Sequence, residues 1–197
     1  MNVNSPQTLI VVAIVVVALI VVASIVVREQ RKRQSQRLQQ RFGPEYARLM
    51  GERGDRAKAE AELIAREKRV ERLKIVPLSP ADAAKFSQAW GALQSQFVDK
   101  PRRVVAEADL LVRDLMIKRG YPMGDFERRA ADISVDHPKL VETYRAAQAI
   151  AAQDQHAGAS TEDLRKAVVY YRMLFDELLE VRRIPEVREE SRDAVSS

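Results

Sequence analysis

The first 27 residues carry no charged side chain, and residues 9–27 (LIVVAIVVVALIVVASIVV) contain a single polar residue, Ser24. Nineteen residues of helix rise about 28 Å, close to a hydrocarbon core of about 30 Å. A strand of that length is excluded, because strands rarely exceed ten residues and an isolated chain in lipid satisfies its amides only within a helix. The run therefore predicts a transmembrane helix over residues 9–27, behind a short N-terminal tail at 1–8. A cleaved signal peptide fits less well. The residues before Leu9 (MNVNSPQT) supply no basic side chain, and Ala23-Ser24 runs on into more Ile and Val rather than into a small-residue cleavage site.

Charge is distributed unevenly beyond that run. Residues 28–41 hold six basic side chains and one acidic, whereas residues 42–197 hold 27 of each sign, so the formal charge of +5 lies next to the apolar run. A neutral body gives no phosphate-binding face, and a nucleic-acid partner is not expected. A basic flank on the C-terminal side of the span predicts a cytoplasmic C-terminal domain, with an extracytoplasmic one as the alternative. The same flank suits anionic lipid headgroups, with Arg28, Arg31, Lys32 and Arg33 nearest the boundary. The absence of cysteine excludes disulfides, a thiolate metal site and a cysteine nucleophile.

Residues 28–76 read as a basic juxtamembrane segment followed by a charged helical stalk. Phe42-Gly43-Pro44 interrupts it, because Gly is flexible and Pro disfavours helix in the residue before it. Glu52 with Arg56 and Glu62 with Arg66 are i,i+4 pairs in the favourable order, and the better helix is expected from about Asp55. Leu63 and Val70 lie one heptad apart, which admits self-association through the stalk without establishing a coiled coil. The stalk is expected to be mostly solvated, perhaps packed by one edge.

Residues 77–184 read as a bundle of four longer helices with a short connector helix, followed by a flexible polar tail at 185–197. Ser79 and Pro80 form a helix start, with Phe86, Trp90, Leu93 and Phe97 on one face until Lys100-Pro101. Val104, Ala108, Leu111 and Leu115 mark a second helix, stopped by Gly120-Tyr121-Pro122. A short helix is expected over 126–133 with Asp125 as its cap. Asp136 is expected to cap the next, which carries Tyr144 and ends near Gly158. Ser160 opens the last, with Leu164, Val168, Tyr171, Phe175 and Leu178 on one face. No segment alternates at period two, so the fold class is all-α.

The connector is the densest stretch of unusual residues. Tyr121, Asp125, Glu127, Arg128, Arg129, Asp132, Asp136 and His137 make a candidate recognition surface, with the acidic members and His137 able in principle to do acid/base chemistry. A plainer account makes the same residues helix caps and core. No metal or other cofactor is expected. His137 and His156 would stand about 28 Å apart on one helix, and no HExxH, EF-hand, Walker or dinucleotide motif is present.

Several segments together resemble an uncharacterised bacterial family of small proteins with one N-terminal hydrophobic segment. They are RFGPEY at 41–46, LSP at 78–80, FVD at 97–99, GYP at 120–122, DFERRAADISVDHP at 125–138, TEDLR at 161–165 and YRMLF at 171–175. The resemblance covers roughly residues 41–180 and implies a single anchor and a helical domain, with no activity and no catalytic residue to carry over. The sequence thus points to a membrane-anchored helical interaction or scaffold module with an unknown protein partner, not an enzyme. The alternatives are an exported, membrane-tethered envelope or cell-surface accessory protein and, behind it, an enzyme using the acidic connector residues.

Overall fold

A computed structural model describes residues 6–179, with side chains from residue 14 onward. Among the described residues the chain is all helical and has no strand. In order come α1 (Pro6–Phe42), α2 (Pro44–Arg53), α3 (Arg56–Val70), α4 (Pro80–Ser95), α5 (Pro101–Arg119), α6 (Phe126–Asp136), α7 (Val141–His156) and α8 (Thr161–Leu178). Residues 1–5 of the N-terminal tail, and residues 180–197 with the whole polar tail at 185–197, lie outside the described residues.

The bundle follows from its caps and apolar faces. Ser79 and Ser160 each accept the backbone N–H three residues on, from Asp82 and Asp163, and so open α4 and α8 at the expected positions. Helix α8 packs between α5 and α7, burying Leu164, Tyr171, Leu174, Phe175 and Leu178. Trp90 of α4 stacks on Phe175 with ring centroids 4.7 Å apart, and Tyr144 meets Tyr171 edge-on at 6.3 Å. Fully burying side chains of this size contributes roughly 1.5–3 kcal/mol each, so these aromatics dominate the core. Phe97, expected among the fillers, is only partly buried against it.

Two boundaries differ from expectation. Asp136 does not cap the following helix. It is the last residue of α6, and α7 starts only at Val141 after a turn through His137 to Leu140. The continuation is favoured because Ser134 and Val135 are buried, so the chain gains by staying helical one more turn.

The larger correction concerns the stalk. Instead of projecting into solvent, α2 and α3 fold back on the end of α1 and bury a second core of Leu38, Phe42, Tyr46, Leu49, Ala59, Leu63 and Val70, closed by Val135 of α6. Leu63 and Val70 are thereby used within the chain, which removes the seam that self-association through the stalk would need. The expected break at Gly43 is the device that allows this return: its φ of 50° reverses the chain between α1 and α2. Glu52 pairs with Arg48 rather than Arg56, because Gly54, at φ 63°, ends α2 between them.

Helix α1 is continuous for 37 residues, about 55 Å of helix. Among the described residues no helix is long and apolar enough to cross a membrane. The described apolar side chains begin at Ile14, and residues 14–27 span about 21 Å. The expected span at 9–27 starts five residues earlier, on side chains outside the described ones.

Candidate functional site

The connector is a joint between the two cores. Gly120 ends α5 in the left-handed region at φ 99°, and a Cβ there would lie 2.5 Å from the Lys74 carbonyl oxygen, so only glycine fits. The next residue, Tyr121, is turned inward and donates its hydroxyl to Asp136 at 3.2 Å. Burial, with the Asp136 carboxylate beside it, holds this phenol well above its ordinary range, so it stays protonated.

Helix α6 then carries the remaining candidates into separate contacts. Asp125 accepts the Arg128 backbone N–H as N-cap. Buried Arg129 donates to the Gly124 carbonyl at 2.6 Å and to the Tyr144 hydroxyl at 3.3 Å. Asp132, fully buried, accepts from Nε and Nη2 of Arg69 at 2.8 and 2.5 Å, which fastens α3 to α6. Glu127 pairs with Arg145, and His137 Nδ1 lies 3.1 Å from Glu177.

The proposed recognition surface therefore needs correcting. Tyr121, Arg129 and Asp132 are interior, because each satisfies its polar atoms against a neighbouring helix. Asp125, Glu127, Arg128 and Asp136 remain exposed, and His137 is half-buried. The connector residues are thus dispersed among caps and interhelical bonds rather than gathered into an acid/base pair. Among the described residues no group of three or more His, Asp or Glu could hold a metal ion.

What the sequence reasoning missed is a charge clasp where the two cores meet. Glu45, in the first turn of α2, is 1% exposed. It accepts from Arg48 at 2.8 and 2.6 Å and from Arg66 at 2.8 Å, and Arg145 of α7 stands at 3.4 Å. Burial pushes its pKa up, but the hydrogen bonds from Arg48 and Arg66 and the charge of Arg145 outweigh burial and hold it below the usual carboxylate range. Arg66 also binds Glu62 at 2.5 Å, the one stalk pair that was legible from spacing. One turn further along α3, Glu67, 4% exposed, takes Arg37 at 2.5 Å and Arg41 at 3.2 Å from α1. Only the residue types were visible beforehand. Which charges are buried depends on how α2 and α3 return.

That return builds the largest cavity of the described residues, an open groove of about 900 Å³ between α1 and α3. Glu67 fixes the lower end, and Asp55 to Ile64 run beside Arg28 to Gln39, so the start of α3 lies level with the basic residues that follow the apolar run. Arg28, Arg31 and Lys32 line this groove, while Arg33 turns away and pairs with Glu29 at 3.1 Å. A second, shallower groove of about 280 Å³ lies between α4 and α5, floored by Ala89, Ala92, Leu110 and Leu111 and edged by Glu107 and Asp114.

No family model matches the chain, and no curated protein or solved structure matches it either.

Proposed function

We propose that the chain is a single-pass membrane protein in which α1 crosses the bilayer and carries the helical domain, as an interaction module, at the cytoplasmic surface. The observation that carries this reading is the exposed surface of α1. Its large apolar side chains from Ile14 to Val27 are 45–63% exposed around the whole circumference. A helix that is apolar on every side needs an apolar surround, and the bundle does not provide one. Ser24 supports the same environment, since its hydroxyl donates to the Ile20 carbonyl at 2.8 Å and leaves no donor unmet. The basic flank at 28–41 favours the cytoplasmic orientation.

The rigid link between α1 and the domain favours a module held at a set distance from the membrane. A protein partner would be sought first on the α4–α5 groove, where Leu110 is 51% exposed. The first experiment uses the lack of native cysteine. Ser5→Cys and Ser197→Cys variants in intact cells are treated with a membrane-impermeant maleimide. Labelling at position 5 alone supports the proposal, labelling at 197 alone makes this an exported tethered domain, and extraction of the protein from membranes by alkaline wash overturns the anchor itself.

A further inference from the structure

We propose that the groove between α1 and α3 binds the phosphate of an anionic lipid headgroup, held by Arg28, Arg31 and Lys32 of α1 and Arg56 of α3. This rests on the membrane reading of α1. The basic segment divides into two sets. Arg33, Arg37 and Arg41 are each paired, with Glu29 or Glu67. Arg28, Arg31 and Lys32 make no hydrogen bond or ion pair among the described residues, and these three line the groove. Arg56 faces them from α3 and reaches Glu60 only at 4.0 Å.

The two carboxylates of the groove are already engaged. Asp55 caps α3 by accepting from the Ala57 and Lys58 backbone N–H groups, and Glu60 accepts the Tyr46 hydroxyl at 2.9 Å. Four cations therefore face two occupied acids, and the groove carries an unmet positive charge suited to phosphate. Its position selects the source of that phosphate. Arg28 directly follows the apolar run and Lys32 lies about 6 Å further along the helix, at headgroup depth. Ala57, Ala61 and Ile64 give the groove an apolar wall on the α3 side, fit for the glycerol end of a lipid. Its volume of about 900 Å³ admits a whole headgroup.

Adjacent positions on α1 make the test, because Lys32 and Arg33 differ by one residue in depth but face different ways. Full-length protein is reconstituted into vesicles of phosphatidylcholine with a minority of phosphatidylglycerol and then purified. The lipid that remains bound is quantified by mass spectrometry. The wild-type protein is expected to retain phosphatidylglycerol above its bulk ratio. Lys32→Gln and Arg31→Gln should each lower that enrichment roughly fivefold, while Arg33→Gln leaves it nearly unchanged. Equal losses in Lys32→Gln and Arg33→Gln would mean a diffuse cationic surface and overturn the site. Insertion without any enrichment, or displacement of the lipid by inorganic phosphate, would also overturn it while leaving the anchor intact. Failure to float with pure phosphatidylcholine vesicles would instead remove the membrane reading, and the groove with it.

Discussion

The two cores are held by different physics. The bundle core is aromatic and aliphatic, with Trp90, Tyr144, Tyr171 and Phe175 all within 1% of full burial. The membrane-proximal core has only Phe42 and Tyr46 as aromatics, and it is ringed by buried or half-buried ions: Glu45, Arg66, Glu67 and Arg69. Apolar burial is non-directional and indifferent to pH. Buried ion pairs demand geometry and depend on ionisation, and they contribute little against a well-packed apolar replacement. The bundle is therefore the part that sustains the fold, and the clasp sets the angle at which α1 leaves it.

The strongest way to break this contrast is in the bundle. Phe175→Ala should cost about 3–5 kcal/mol, equally at neutral and acid pH, read by denaturant unfolding in detergent micelles. An acid-dependent loss would contradict the assignment of that core to apolar packing.

Glu45→Ala comes next, at about 3 kcal/mol at neutral pH, because it leaves the buried charges of Arg48, Arg66 and Arg145 without their carboxylate. Its pH dependence sharpens the comparison. The folded pKa of Glu45 is depressed, so its contribution is complete above the ordinary value of 4.5 and is lost as pH falls through the lower folded value. The stability gap between wild type and Glu45→Gln should accordingly shrink on acidification, and hydrogen exchange should localise the change to α2 and α3 before α4 and α8.

Gly120→Ala tests the joint. A side chain at φ 99° costs about 1–3 kcal/mol, and the contact at the Lys74 carbonyl adds to it, so melting should fall with protection lost in both regions together. The smallest effect is expected for Ser160→Ala, about 1 kcal/mol from the lost α8 cap, confined to the bundle.

Legibility in the sequence tracked how local each feature was. Ser79, Asp125 and Ser160 were readable as caps because a cap is satisfied within three residues. The α8 face was readable because period alone defines it. Asp136 was misplaced because the same residue type caps one helix or ends another, and buried Val135 decides which. The connector was singled out for its composition, yet Arg129 and Asp132 serve Tyr144 and Arg69, partners 15 and 63 residues away.

By itself the sequence determined the apolar run, its basic flank, the all-helical class and the bundle's inward faces, since each rests on spacing or composition over a few turns. Only the tertiary structure decided that the stalk folds back, that Glu45 and Asp132 lie inside, and that Lys32 and Arg33 part company. Those outcomes depend on the reversals at Gly43 and Gly54 and on which distant helix each charge then meets. Coulomb pairing is long in sequence and short in space, so no local pattern encodes it.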